Sequence, residues 1–231
     1  MLLHSPRQLF QHPFLFCNFL YTKRKVIVET WKTYLRGKKN RLNFLLTLSV
    51  LIIVLIILPN FLRFVENRSG FDFRDPILSL FNPVDLTWFT FALIYAGLII
   101  AVIHLAKKPS SLVLAMKTYA ITAIFRIIAM YLLPLEPPQT MIPLNDPFVQ
   151  LFGPGEVLTK DLFFSGHTST LFILFLTAQK RILKYVFIIF TILVALCVVM
   201  QHVHYSIDVV AAPFFAFTSY KIAQSLEKYF E

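Results

Sequence analysis

The chain has 231 residues, and its composition narrows the range of structures more than its length does. Hydrophobic residues make up 57% of it and charged residues only 15%, and 25 residues are phenylalanine. This composition excludes an ordinary cytosolic enzyme, a disordered protein and a secreted disulfide-rich domain. The formal net charge of +10 does not indicate nucleic acid, because the basic residues cluster at the ends of apolar segments. That placement indicates membrane topology and contact with lipid headgroups.

Residues 1–41 form a basic N-terminal segment with nine of the 22 Lys and Arg residues. Its longest apolar stretch, residues 13–21, is too short to span a membrane. No signal-peptide pattern of charge, apolar core and cleavage site is present, so we expect the segment to be retained. Between about residues 26 and 35, apolar residues recur at helical spacing among basic ones. This pattern predicts a helix lying on an anionic membrane surface, with a solvated basic arm as the alternative.

Six apolar segments follow, and each is predicted to be a membrane-spanning helix of about 20 residues. In chain order they cover about residues 42–62, 86–106, 111–133, 162–176, 182–200 and 207–226. The fourth segment is short and the sixth contains Pro213. The sequence therefore predicts an all-α membrane protein, a six-helix transmembrane bundle with an N-terminal basic interfacial segment. Residues 42–226 would form the six-helix membrane domain and residues 227–231 a cytoplasmic tail.

Basic residues alternate between the connections of these segments. The N-terminus, the second and fourth connections and the C-terminus are basic, whereas the first and third connections are mixed or acidic. The positive-inside rule then places both termini in the cytoplasm and the odd-numbered loops outside. The third connection, residues 134–161, holds six prolines, which predicts an ordered cover over a site, a floppy surface loop being the alternative. Cys17 and Cys197 lie apart on this topology and are not expected to form a disulfide.

Two short motifs place ionisable residues at the edges of apolar segments. Burying an ionisable side chain in a membrane costs free energy, so such residues indicate a functional site. His167 opens the fourth span in Asp-Leu-Phe-Phe-Ser-Gly-His-Thr, residues 161–168, and His204 and Asp208 open the sixth in His-Tyr-Ser-Ile-Asp, residues 204–208. Both spans run inward, so both motifs are predicted at the outer face. The i, i+4 spacing lets the Asp208 carboxylate hold the His204 imidazole in one tautomer.

Two histidines with one orienting carboxylate suit phosphoryl or phosphodiester transfer. One imidazole attacks phosphorus and the other protonates the leaving alcohol. A lone histidine near a helix end is more often an ordinary polar group, so the prediction depends on the combination. A zinc site built from the same residues is a competing interpretation, disfavoured because no Cys and no His-Glu helix motif lies nearby.

Two more basic residues fall inside the third predicted span. Arg126 lies about seven residues before the outer end of this span, a depth at which a guanidinium should face the bundle interior. There it is predicted to hold a phosphate, with an ion pair to Asp161 or another carboxylate as the alternative. Lys117 lies near the inner end and is predicted to extend its ammonium group to the membrane surface.

The two histidine motifs together resemble the paired signature of the sphingomyelin synthase-related branch of the type 2 phosphatidic acid phosphatase superfamily. A third stretch, residues 126–137, is similar to that family's Arg/Tyr followed by Leu-Pro-x-Pro. The resemblance covers roughly residues 42–226 and implies that His204 is the nucleophile, Asp208 its partner and His167 the general acid and base. It also implies a set of substrate-binding residues: Arg126, Tyr131, Asp161, Ser165, Gly166 and Tyr205.

The resemblance implies an enzyme that moves phosphocholine or phosphoethanolamine from a glycerophospholipid to a lipid alcohol, ceramide or diacylglycerol, through a phosphohistidine. We expect no metal, organic cofactor or nucleic acid to take part. The chain departs from sphingomyelin synthases at residues 159–161, Thr-Lys-Asp in place of their usual Cys-Gly-Asp, and at Ser206, where Thr is common. A lipid phosphate phosphatase and a non-catalytic membrane scaffold or transporter are the alternatives. The phosphatases' Ser-Arg pair upstream of the second histidine is missing, which favours a transferase.

Overall fold

The computed structural model describes residues 30–146 and 158–230, and this part of the chain is largely helical. It contains seven α-helices and one 3-10 turn, Leu78–Leu80. The α-helices are α1 Trp31–Arg36, α2 Lys38–Glu66, α3 Thr87–Leu105, α4 Pro109–Leu132, α5 Gly166–Thr177, α6 Arg181–Met200 and α7 Ser206–Glu227. Each of the six predicted segments coincides with one of the helices α2 to α7, so the all-α fold class is confirmed for these residues.

Four helices, α2, α3, α4 and α6, are long and apolar enough to cross a membrane. Many of their large apolar side chains face outward: Ile56, Ile99 and Leu196 are each more than half exposed. Lipid-facing surfaces of this kind indicate an integral membrane protein. The prediction of six spans is met in part, because α5 has only 12 residues and α7, with 22, is less apolar than a span of this type.

The fourth predicted span was expected to start at residue 162, but α5 starts at Gly166. Ser165 caps the helix, since its side chain accepts a hydrogen bond from the Thr168 amide at 3.4 Å. The preceding carbonyl, that of Phe164, accepts one from Arg126 Nε at 3.2 Å. Backbone groups ahead of Gly166 are therefore occupied by tertiary hydrogen bonds and do not extend the helix.

The short helix α5 lies at the centre of the bundle. It packs against α3, α4, α6 and α7, while α2 packs on α4 on the other side. The core around α5 is tightly closed, as Leu171, Phe187, Val194 and Val198 are at most 1% exposed. In contrast, α3 and α4 scarcely touch each other. This arrangement leaves a gap between α3 and α4 with α5 as its floor.

The connections at the end where α5 and α7 begin are joined by hydrogen bonds. The Phe71 amide donates to the Pro134 carbonyl at 2.9 Å, and the Glu136 amide returns a bond to the Phe71 carbonyl at 3.0 Å. Asp75 Oδ2 accepts from the Ser206 amide, the first residue of α7, at 2.6 Å. The described start of the proline-rich connection is thus anchored to the rest of the bundle, whereas residues 147–157 lie outside the described part.

The opposite end holds a buried polar cluster that the sequence did not predict. Lys117 Nζ donates to Asn43 Oδ1 at 2.7 Å and forms an ion pair with Glu227. Only 8% of Lys117 is exposed, so the prediction that it extends to the membrane surface is wrong. A carboxylate supplied by the end of α7 stabilises the buried ammonium group, which therefore need not reach water.

The predicted surface helix near the N-terminus is described in part. Its residues 26–29 lie outside the described part, and α1 covers Trp31–Arg36. Trp31 Nε1 donates to the Ala106 carbonyl at 2.7 Å, which fixes α1 against the start of the α3–α4 connection. The helix α2 begins at Lys38, within the segment assigned to residues 1–41. Cys197 is buried and carries a free thiol, and Cys17 lies outside the described residues.

Candidate functional site

The two histidine motifs meet where α5 and α7 begin. The Ser165 amide donates a hydrogen bond to the Asp208 carbonyl at 3.1 Å, which joins the two helix starts. The imidazole rings of His167 and His204 then lie with their centroids 6.0 Å apart and their planes at 63°. A ring nitrogen from α5 and one from the residues just before α7 can therefore approach a single atom bound between them.

His204 is held from behind by Asp208. Its Nδ1 lies 3.5 Å from Asp208 Oδ2, and the two side chains are 1% and 0% exposed. The same carboxylate oxygen accepts a hydrogen bond from the Tyr205 amide at 3.2 Å, which fixes its position on the first turn of α7. Among the described residues, neither ring nitrogen of His204 has a hydrogen-bond partner within normal bonding geometry. Because Nδ1 faces the carboxylate, Nε2 is the nitrogen that is placed to react.

Arg126 reaches the same site from the last third of α4 and is only 8% exposed. Its guanidinium forms an ion pair with Asp161. It also fills the space beside Gly166, where a Cβ atom would lie 2.7 Å from Arg126 Cζ. Glycine is thus required at position 166 for the guanidinium to lie against the start of α5. Since Gly166 lies level with Arg126, six residues before the end of α4, this contact is about 9 Å below the end of that helix.

A cavity of about 440 Å³ occupies the gap between α3 and α4. Most of its wall is apolar, and its polar side chains include Tyr95, Arg126, Asp146, Asp161, His167 and Thr170. Leu98 and Val102 line it and are also 36% and 61% exposed, so the cavity opens sideways through the bundle surface. Its size and its mainly apolar wall are typical of a site for a small molecule or a lipid.

The structure separates the predicted substrate-binding residues into two groups. Arg126, Asp161 and Gly166 line the cavity together with His167. Three others do not line it, and each has a different role. Tyr131 is 56% exposed, with its ring 5.2 Å from the Arg68 guanidinium carbon. Tyr205 is buried and its hydroxyl donates to the Glu136 carbonyl at 2.8 Å. Ser165 is the buried N-cap of α5.

The two histidines differ in their access to this cavity. His167 lines it, whereas His204 does not and lies one ring further into the protein. The second pair of polar side chains in the cavity, Tyr95 and Asp146, was missed by sequence reasoning. A single tyrosine within an apolar span and an aspartate in a proline-rich connection form no motif, so no sequence signal identified them.

Two carboxylates beside the site, outside the spanning helices, are held in their ionised form. Burial raises the pKa of Asp75, but hydrogen bonds from Ser206, Ile77 and Leu78 outweigh it and place the pKa below its usual value. A hydrogen bond from the Gly70 amide and another from Lys160 lower the pKa of Glu136. Among residues 30–146 and 158–230, no group of three His, Cys, Asp or Glu side chains is arranged to hold a metal ion.

The segment that carries both motifs matches a known family. Residues 160–225 match the family model described as PAP2 superfamily C-terminal, which is somewhat more than a quarter of the chain. No curated protein and no solved structure shows a significant match to the chain. The match supports the type 2 phosphatidic acid phosphatase superfamily and phosphate-group chemistry for the segment that contains His167, His204 and Asp208.

Proposed function

We propose that the chain is a membrane enzyme of this superfamily that transfers a phospho-headgroup, phosphocholine or phosphoethanolamine, from a glycerophospholipid to ceramide or a similar lipid alcohol. The carrying observation is the 6.0 Å approach of the His167 ring in α5 and the His204 ring just before α7, with Asp208 behind His204. Arg126 lies within the same site and provides a positive charge for the phosphate.

The first half of the reaction breaks the donor lipid. His204 Nε2 attacks the phosphorus, an N–P bond forms, and the P–O bond to diacylglycerol breaks. Protonated His167 gives its proton to the departing oxygen, and diacylglycerol leaves as a neutral alcohol. The Asp208 carboxylate stabilises the positive charge that develops on the His204 ring, and Arg126 balances the charge on the phosphate oxygens.

The second half reverses these roles with a new alcohol. His167, now neutral, removes the proton from the acceptor hydroxyl as its oxygen attacks the phosphorus. A P–O bond forms, the N–P bond breaks, and His204 returns to its starting state. Both half-reactions use the same residues, and the headgroup moves without a free phosphate being released.

Burial of the reactive groups favours an alcohol over water as acceptor. His204 and Asp208 are almost completely buried, and Leu162 and Phe164, which belong to the first motif, are 2% and 0% exposed. The cavity that reaches His167 has a largely apolar wall and opens between α3 and α4. A lipid hydroxyl can enter from the side through such an opening, while bulk water is disfavoured.

The topology belongs to the same proposal. We infer six membrane crossings, with α5 and α7 as the two additional ones and both termini in the cytoplasm. The segment 158–165 would then run without regular structure to the depth of Arg126, which is tolerated within a bilayer where backbone is buried in protein. The site would lie near the extracytoplasmic face, where both donor and acceptor lipids can diffuse in the outer leaflet.

The test is turnover of headgroup-labelled phosphatidylcholine and phosphatidylethanolamine by the purified full chain, with and without ceramide or diacylglycerol. We expect headgroup transfer that requires the alcohol and disappears in His204→Ala. Release of free phosphate or of phosphocholine at the same rate without an alcohol would instead establish a lipid phosphatase. No turnover of any phospholipid would favour the non-catalytic scaffold or transporter.

A further inference from the structure

The cavity has a second polar corner, away from both motifs. Tyr95 of α3 donates its hydroxyl hydrogen to the carboxylate of Asp146, which follows α4 in the proline-rich connection. Both residues line the cavity that also contains His167 and Arg126. A carboxylate here places negative charge in the same cavity as the buried guanidinium.

A row of aromatic rings connects this corner to the reactive histidines. The rings of Tyr95 and Phe91, one helical turn apart on α3, are stacked with centroids 5.7 Å apart. Phe91 in turn meets His167 edge to face at 6.2 Å, and His167 lies 6.0 Å from His204. In this row the Phe91 and His167 rings lie between the corner and the proposed phosphorus position, and Phe91 itself lines the cavity.

Aromatic rings and a carboxylate are the groups that proteins use to bind ammonium ions. A phosphocholine or phosphoethanolamine headgroup carries such a cation two carbons beyond its phosphate. With the negative phosphate beside the Arg126 guanidinium, the positive ammonium group would face the Asp146 carboxylate, so each charge of the headgroup would meet an opposite charge in the cavity. The glycerol headgroup of an anionic lipid lacks the cation, so it gains no charge attraction from the Asp146 carboxylate.

We propose that Phe91, Tyr95 and Asp146 form a subsite for the ammonium group of a zwitterionic phospholipid headgroup. This inference rests on the proposed function and makes these three residues determinants of donor specificity. The headgroup would lie beside Phe91, with its phosphorus at the histidines and its cation on the side of Phe91 that faces Tyr95 and Asp146. The acyl chains would extend into the apolar part of the cavity and through its lateral opening.

The experiment compares donors and variants in vesicles containing the full chain. The donors are phosphatidylcholine, phosphatidylethanolamine and phosphatidylglycerol, each with a labelled headgroup, with ceramide as acceptor. We expect the wild type to prefer the two zwitterionic lipids. Asp146→Asn should reduce the ratio of turnover on zwitterionic to anionic donor at least tenfold. Tyr95→Phe, which keeps the ring and loses the bond to Asp146, should reduce it by a smaller factor.

A matched control is Asp72→Asn, a carboxylate at the same end of the bundle that accepts a hydrogen bond from Gln139 and does not line the cavity. Its donor ratio should equal that of the wild type. A wild type that turns over phosphatidylglycerol as well as it does phosphatidylcholine, with no change of ratio in Asp146→Asn or Tyr95→Phe, would overturn the subsite and leave the proposed function intact.

A binding measurement separates the two proposals where turnover is absent. Soluble phosphocholine and glycerol phosphate are added to the His204→Ala protein, and the shift in its melting temperature is measured. We expect phosphocholine to stabilise the protein more, and Asp146→Asn to remove the difference. That result with an inactive wild type would overturn the proposed reaction alone, whereas equal stabilisation by both compounds would overturn the subsite.

Discussion

The guanidinium of Arg126 occupies the space that a side chain at position 166 would need. A Cβ atom on Gly166 would lie 2.7 Å from Arg126 Cζ, and the guanidinium has little room to retreat because it is paired with Asp161 and bonded to the Phe164 carbonyl. The glycine of the first motif therefore allows the positively charged guanidinium to lie beside His167, the next residue in the chain.

We expect Gly166→Ala to displace Arg126 and to lower kcat/KM for headgroup transfer by about 100-fold, the cost of moving a positioning group by roughly 1 Å. Gly37→Ala is the control, because its Cβ would meet Asn40 at an ordinary 3.4 Å. The measurement is transfer from labelled phosphatidylcholine, with the melting temperature recorded for both variants. Full activity in a folded Gly166→Ala protein would show that the position of Arg126 is unimportant.

The roles of the two histidines can be read from a trapped intermediate. When the full chain is given a donor labelled in its phosphate and no acceptor, we expect an acid-labile, alkali-stable label on the peptide that contains His204. The Asp208→Asn protein should form it about 1000-fold more slowly, because its ring has lost the orienting carboxylate.

Peptide mapping decides between the two rings. Because His167 lines the cavity and His204 lies behind it, label on His167 would exchange the two roles. Absence of label from both, in a protein that transfers headgroups, would argue for direct displacement without a covalent intermediate.

The stability of the fold at the start of α7 should depend on pH, because the Asp75 carboxylate holds this helix start. The hydrogen bonds from Ser206 and from Ile77 and Leu78 keep the pKa of this carboxyl below its usual value in the folded protein. Its stabilising contribution is therefore complete above the unfolded pKa and is lost as the pH falls through the lower folded value. We expect Asp75→Asn to melt below the wild type at about pH 7, with the difference disappearing as the pH falls below about 4.

Thermal melting between about pH 7 and pH 3 measures this effect. Asp72→Asn serves as the control, since its carboxylate is on an exposed residue and accepts a bond from the Gln139 side chain. A difference between wild type and Asp75→Asn that stays constant over this range would show that ionisation of Asp75 does not stabilise the fold.

Sidedness is tested with single cysteines in a chain that lacks Cys17 and Cys197. Gln139→Cys lies in the exposed part of the proline-rich connection and Lys107→Cys lies in the exposed α3–α4 connection at the other end of the bundle. We expect an impermeant thiol reagent to label position 139 from the extracytoplasmic side and position 107 from the cytoplasmic side of sealed vesicles. The reverse pattern would invert the proposed topology.

Much of the helical architecture could be predicted from local sequence. Apolar runs interrupted by charged connections mark α2, α3, α4 and α6, because about 20 consecutive apolar residues have few alternatives to a helix in lipid. The pairing of the two histidine motifs was likewise visible, since the chemistry needs both and their residue types are uncommon in apolar segments. Local composition therefore determined the fold class and the reactive residues proposed here.

The tertiary structure alone decided how the site is built. The bond between Arg126 and the Phe164 carbonyl ahead of α5, the contact between Arg126 and Gly166 and the bond between Tyr95 and Asp146 all join residues at least 38 positions apart in the chain. Such contacts depend on how each helix is rotated about its axis, which a nearly uniformly apolar sequence does not encode in its periodicity. Helix rotation also explains the positions of Tyr131 and Lys117. It leaves Tyr131, predicted to bind substrate, exposed, and it buries Lys117, predicted to reach the membrane surface, against Glu227.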